Sequence, residues 1–180
     1  MLTSLHCLVL LPLIALAAPL PQSGGDKPAF TFDKVEYFHR FTKDNLHEFT
    51  PKGQTDLKKW TSMFTINDYP NVKDGEALAK AANSVLDTYQ ANKAIVIRTA
   101  SVPRTETKPA EHFIAVVFPR SEFMEAAFAR FLIDKGVGVS MVYSYRIYGS
   151  NVGDAMNTWL KNNGEKIEKT LMAMPSVPKH

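Results

Sequence analysis

The residues from Val137 to Tyr148 alternate between two sets of side chains, and no other stretch constrains the fold as strongly. The first set is Val137, Val139, Met141, Tyr143, Tyr145 and Ile147, and the second is Gly138, Ser140, Val142, Ser144, Arg146 and Tyr148. In an extended strand, successive side chains point to opposite faces of the sheet. The pattern therefore predicts a long strand that buries Tyr143 and Tyr145 and carries Arg146 on its other face.

Shorter extended segments precede the first predicted helix. Alternation from Phe30 to Phe41 changes parity at Asp33-Lys34, which indicates a turn or bulge, and Leu46–Thr50 and Met63–Tyr69 predict two further strands. Asp74 is a typical helix N-cap, and the apolar residues that follow it recur at helical spacing.

The second half of the chain sets the fold class. Ala94–Val102 and Phe113–Phe118 are joined by a polar loop with no helix, which favours antiparallel pairing. A second helix is predicted after Pro119, and a third towards the carboxyl end, with a kink near Asn162-Asn163-Gly164. The second helix would carry Met124, Ala127, Phe128, Phe131 and Leu132 as an apolar stripe. We expect an α+β fold, a mainly antiparallel sheet of about five to six strands with helices packed on its faces.

The first residues of the chain have the pattern of an export signal. Leu8 to Ala18 is almost wholly apolar but shorter than the roughly 20 residues that cross a bilayer, and Ala15 and Ala17 supply an A-x-A cleavage site. We expect a periplasmic or secreted protein that does not span the membrane after signal cleavage. Cys7, the single cysteine, lies inside the signal, so no intrachain disulfide is expected.

The remaining chain is predicted to form one domain. Residues 1–17 are assigned to the signal peptide, 18–28 to a Pro- and Gly-containing linker, 29–174 to a single α+β domain, and 175–180 to a flexible tail. A length of 180 residues suits one domain of ordinary size.

Charge and motifs exclude several classes of function. Lys and Arg number 21 against 18 Asp and Glu, and this net charge of +3 is too small to indicate specific nucleic-acid binding. The chain contains no P-loop, G-x-G-x-x-G, H-E-x-x-H or G-x-S-x-G motif. No cofactor is expected.

One segment resembles a group of known proteins. Phe49-Thr50-Pro51-Lys52-Gly53 followed by Trp60-Thr61-Ser62-Met63-Phe64-Thr65 resembles the F-x-P-x-G and W-x-x-M-x-T segment of small exported bacterial proteins of unassigned activity. The predicted element order is also similar to the PsbP-like fold, an antiparallel sheet with helices on its faces. That second resemblance implies a non-catalytic accessory or binding role.

Histidines and carboxylates suggest an alternative to binding. Glu48, His47, Glu111 and His112 could serve as acid and base in a cofactor-free hydrolase acting on a cell-envelope polymer, with Asp68 and His39 as further candidates. His39, His47 and His112 could form a three-histidine metal site only if their strands were neighbours. Adjacent strand residues such as His47 and Glu48 point to opposite faces, so no metal site is predicted.

The leading hypothesis is a non-catalytic binding or accessory protein with a protein or cell-envelope partner. Aromatic, basic and polar groups that could form its binding surface are Trp60, Lys52, Gln54, Arg146 and Tyr148. Oligomeric state is left open by the sequence.

Overall fold

The computed structural model describes residues 27–180. The predicted signal peptide and most of the predicted linker lie outside this range. No helix in the described part of the chain is long and apolar enough to span a membrane.

Eight strands and two helices make up the fold. In chain order they are β1 (Phe30–Phe32), β2 (Val35–Lys43), β3 (Leu46–Pro51), β4 (Ser62–Tyr69), α1 (Gly75–Ala91), β5 (Ile95–Val102), β6 (Glu111–Pro119), β7 (Phe123–Asp134), β8 (Val137–Tyr148) and α2 (Gly153–Met172). All strands belong to one antiparallel sheet in the order β1-β2-β3-β4-β8-β7-β6-β5.

The predicted fold class is therefore wrong in its proportions. We expected an α+β fold with about five to six strands and helices packed on its faces, whereas the structure is mostly sheet, with eight strands in a single antiparallel sheet and two helices. The segment predicted as the second helix is β7, which pairs with β6 on one side and β8 on the other. A central strand covered on both faces is apolar all round, and such a run resembles a buried helix in sequence.

Several local predictions are confirmed. The side chain of Asp74 accepts a hydrogen bond from the Ala77 N–H at 2.8 Å and so caps α1. Asp33 and Lys34 form the turn between β1 and β2, both with positive φ. The kink expected near Asn162 is absent, because α2 runs without interruption from Gly153 to Met172.

Each helix covers one face of the sheet. On the face covered by α2, called the α2 face, the core includes Phe64, Phe128, Met141, Met156 and Leu171. On the opposite face, called the α1 face, α1 packs mainly over β6 and β7.

The residues after α2 continue across the α2 face. Val177 is buried in the same core as α2, and His180 lies against Asp68 of β4. The carboxyl end of the chain is thereby brought to the β3–β4 side of the sheet.

Candidate metal centre

The β2–β3 hairpin places two histidines and one threonine on the α2 face. A β-bulge between His39 and Phe41 shifts the register, so that Thr42 comes to the same face as His39 and lies opposite His47. His39 Nε2 is 2.7 Å from Thr42 Oγ1, and Thr42 Oγ1 is 2.9 Å from His47 Nδ1. The hydroxyl group thus holds the His47 ring by its Nδ1 atom and leaves the Nε2 atom for another partner.

Pairing of β3 with β4 brings a carboxylate to the same place. His47 is opposite Ile66, so Asp68, two residues further along β4, lies on the same face and diagonal to His47. The His47 Nε2 atom is 3.7 Å from Asp68 Oδ2.

The third side chain, His180, comes from the segment after α2. His180 Nε2 lies 2.9 Å from Asp68 Oδ2, and the His180 and His47 ring centroids are 4.3 Å apart. His180 Nδ1 donates to the carbonyl oxygen of Pro178 at 2.8 Å. Both ring nitrogens of His180 therefore have a hydrogen-bond partner.

These three residues have the geometry of a metal-ligand set. One ligand atom from each of His47, Asp68 and His180 lies within 4.8 Å of the other two. Two ligands of a tetrahedral zinc ion, each about 2.0–2.1 Å from the metal, are about 3.4 Å apart. Two of the three separations, 2.9 and 3.7 Å, fall on either side of that value, and the third is within 4.8 Å.

The outer hydrogen bonds are those that metal-binding histidines need. In protein metal sites, the ring nitrogen that does not bind the ion is held by a second group, which sets the ring orientation. Here Thr42 holds His47 and the Pro178 carbonyl holds His180. Burial lowers the pKa of His47, the nearby His180 lowers it further, and the Asp68 carboxylate opposes both effects. The neutral, metal-binding form of His47 is thereby favoured.

A shallow cleft of about 340 Å³ gives access to this cluster. Besides Asp68 and His180 it is lined by Asn45, Pro70, Asp134, Lys135, Val137 and Val139. Three protein ligands leave a coordination position that can face this cleft.

The first four residues considered for a hydrolase do not converge. His47 lies on the α2 face, whereas its neighbour Glu48 lies on the other face, where burial raises the Glu48 pKa and Arg146 partly opposes the rise. Their strand, β3, is separated from β6 by β4, β8 and β7.

The two hydrolase candidates on β6 are also directed to opposite faces. Glu111 forms a two-point ion pair with Arg130, at 2.7 and 3.0 Å. His112 points to the α1 face, where its Nδ1 is 2.9 Å from Ser101 Oγ, and burial lowers its pKa.

Three of the five predicted binding residues are in contact through Trp60, and a fourth, Gln54, bonds to the residue that follows Trp60. The Arg146 guanidinium carbon is 3.8 Å from the centroid of the Trp60 ring. Tyr148 Oη accepts from the Trp60 N–H at 3.0 Å and donates to the Trp60 carbonyl at 2.9 Å. Gln54 Oε1 accepts from the Thr61 N–H at 2.7 Å. These contacts hold the loop between β3 and β4 against β8.

The low exposure of Trp60 and Arg146 limits the surface that a ligand could contact. Trp60 is only 4% exposed, and Arg146 also pairs with Glu125 at 2.8 Å. Lys52 is exposed in the turn after β3. Their role as a binding surface stays a prediction.

The sequence indicates His47 and Asp68 only as candidates for a hydrolase, or His47 for a three-histidine metal site, and does not connect them with His180. Hairpin register could have placed His39, Thr42 and His47 together once the bulge was known. Nothing in the sequence pattern indicates that His180 would reach Asp68, because the contact joins positions 112 residues apart.

Comparison with known proteins shows no family. No family model matches the chain, and no curated protein sequence matches it. Among solved structures, the Ran-binding protein Mog1p of Saccharomyces cerevisiae is similar with a TM-score of 0.45 at 7% identity, over 74% of this chain and 79% of that one.

Two further structures are less similar. Human STARD10 gives a TM-score of 0.32 at 8% identity, over 77% of this chain and 74% of its own. A thioesterase family protein from Silicibacter pomeroyi gives 0.21 at 13% identity, over 52% of this chain and 83% of its own. At these TM-scores none of the three likenesses extends a function to this chain.

Proposed function

We propose that this protein is an exported binding protein whose ligand is a divalent transition-metal ion held by His47, Asp68 and His180. The observation that carries the proposal is the shared orientation of two imidazoles. The Nδ1 atom of each ring is hydrogen-bonded to a neighbouring group, Thr42 for His47 and the Pro178 carbonyl for His180. The Nε2 atoms of both rings are directed at Oδ2 of Asp68. Export rests on the signal-like pattern of residues 1–17.

The ligand set selects a class of metal. Two imidazole nitrogens and one carboxylate oxygen suit zinc, copper, nickel or cobalt, whereas calcium and magnesium prefer sites built from oxygen. The open position facing the cleft lets an ion enter and leave, as a binding protein requires.

Metal binding must release a proton from this site. The hydrogen bond between His180 Nε2 and Asp68 Oδ2 holds one proton between these two atoms, and an ion bound to both atoms takes the place of that proton. We therefore expect zinc affinity to fall as the pH is lowered from about 7.5 to about 5.5, the range in which free imidazole takes up a proton.

Titration with zinc tests the proposal. The mature chain, made without a histidine tag, should bind one zinc ion in calorimetry, with a heat that depends on the buffer because a proton is released. His47→Gln or His180→Gln should weaken binding about 100-fold or more. Thr42→Val, which removes only the outer hydrogen bond, should weaken it about 10–100-fold.

The control is His112→Gln, which alters a histidine on the opposite face and should leave zinc affinity unchanged. Absence of zinc binding at millimolar concentration, or equal binding by wild type and His47→Gln, would show that the cluster is not a metal site.

A further inference from the structure

The strand β5 forms a long, unprotected edge of the sheet. It pairs only with β6, and it ends the strand order. Six large apolar residues are exposed in the part of the chain that the structure describes, and four of them lie on β5. These are Ile95 at 54%, Val96 at 37%, Ile97 at 50% and Val102 at 48% exposure.

Sheet edges of this kind are normally protected. Natural edge strands are short, carry charges or proline, or are covered, because their free N–H and C=O groups pair readily with another strand. β1, at the opposite edge, has three residues, whereas β5 has eight. The one charged residue of β5, Arg98, is paired with Glu168 of α2 at 3.1 Å.

A second copy of this chain is a poor occupant of the edge. Eight residues of strand are about 26 Å long, and a contact about 10 Å deep buries roughly 260 Å² on each partner. A stable dimer of two folded copies needs about 800 Å² on each partner, whereas a bound extended segment is held mainly by main-chain hydrogen bonds.

The register of β5 also opposes pairing with itself. The bulge between Val96 and Arg98 places Val96 and Val102 on opposite faces of the sheet. If two copies of β5 paired about a two-fold axis through Thr99, Val96 of one copy would lie opposite Val102 of the other, and the two would have to be on the same face. An axis through Arg98 would place the two Arg98 guanidinium groups next to each other.

Charges at both ends of β5 indicate what kind of segment fits. Lys93 precedes the strand, and Arg104 and Lys108 follow it; all three are exposed and form no ion pair within residues 27–180. Glu106 is the single carboxylate in this loop. An extended segment with acidic residues at its ends would therefore be complementary.

A groove beside the edge provides room for a side chain of the added strand. This cavity of about 330 Å³ lies between α1 and β5, and its lining includes Leu86, Ser101 and His112. The His112 Nε2 atom is buried without a hydrogen-bond partner among the described residues, so a polar group entering the groove could satisfy it.

We propose that β5 binds an extended segment of a partner protein as an added strand, with alternating apolar side chains and acidic residues at its ends. Main-chain hydrogen bonds supply affinity in this mode of recognition, and the alternating side chains supply specificity. The β5 edge is separate from the proposed metal ligands, so the failure of one proposal would leave the other unaffected.

A labelled synthetic peptide tests this directly. Its centre alternates valine and threonine, and it carries two glutamates at each end. The mature protein should bind it in fluorescence anisotropy, and amide hydrogen exchange should slow in β5. Ile97→Lys, at the bulge position unpaired with β6, should weaken binding at least about tenfold.

Matched controls separate the edge from general effects. Val35→Lys alters another exposed apolar residue, on β2 (41% exposed, against 50% for Ile97), and should leave peptide affinity unchanged. A peptide with lysines in place of the glutamates should bind at least about threefold more weakly. The proposal would be overturned if the wild type failed to bind the peptide, or if Ile97→Lys bound it equally well. It would also be overturned by equal affinity for the lysine peptide, or by a dimer in sedimentation that Ile97→Lys dissociates.

Discussion

At the scale of single residues, Gly138 shows how closely β8 passes the turn after β4. A Cβ atom at this position would lie 2.5 Å from Val72 Cγ1 and 2.6 Å from Val72 Cβ. The Gly138 N–H also donates to the Val72 carbonyl at 2.7 Å, which holds the two segments together. There is no room for a side chain without moving the turn.

We expect Gly138→Ala to lower the free energy of unfolding by about 1–3 kcal/mol, as overpacking of a close contact does. Urea denaturation measures this. Gly153→Ala is the matched control, since a Cβ there has no neighbour within 4 Å. Equal stability of the two variants would mean that the turn moves freely away from β8.

The residues around Arg146 show what sequence could and could not predict at this scale. Alternation correctly placed Tyr143 on one face and Arg146 on the other. The partners of Arg146 were not predictable, because Trp60 and Phe123 come from separate segments and enclose the guanidinium at 3.8 and 4.2 Å. Aromatic and basic residues that are close together in the sequence predict an interaction. They do not show whether the partner belongs to the protein itself or to a ligand.

At the scale of elements, Arg130 of β7 joins α2 to the sheet. Its Nη1 donates to the carbonyl oxygens of Leu171 at 3.0 Å and Met174 at 2.8 Å, at the end of α2. Its side chain is 6% exposed and is paired with Glu111, which is 19% exposed. One cation therefore both satisfies helix-terminal carbonyls and neutralises a mostly buried carboxylate.

Arg130→Met should lower the free energy of unfolding by about 3–5 kcal/mol, because it leaves Glu111 without its partner. The double variant Arg130→Met with Glu111→Gln should lose less than the single variant. Chemical denaturation of all four members of the cycle gives the coupling energy. Additive losses would contradict the assigned role of the pair.

The element that sequence failed to identify is β7. Residues such as Met124, Phe128 and Phe131 are spaced as on a helix face, and alanines between them favour a helix. Burial between β6 and β8 and beneath both helices outweighed that local preference. By contrast, α1 was predictable because its cap and stripe are local features.

At the scale of the whole molecule, two partly buried histidines make stability depend on pH. Burial lowers the pKa of His47 and of His112. The unfolded chain then binds protons more readily than the folded one, so these groups reduce stability as the pH falls below their unfolded pKa near 6.5. Glu48 has the opposite effect on stability, because burial raises its pKa and the folded chain then binds a proton more readily than the unfolded chain.

We expect His112→Gln to show a smaller loss of stability than wild type between about pH 7.5 and 5.5, in the absence of metal. Glu48 and His47 are present in both proteins, so the comparison isolates His112. Thermal unfolding at the two pH values, with a chelator present, provides the measurement. Identical pH dependence in the two proteins would contradict the burial of a neutral His112.

Sequence alone determined most strand positions, the cap of α1 and the antiparallel character of the sheet, because alternation, capping and loop composition act over a few residues. Only the tertiary structure decided that β7 is a strand and that His47, Asp68 and His180 meet. Those outcomes depend on burial between distant segments, which local patterns do not encode.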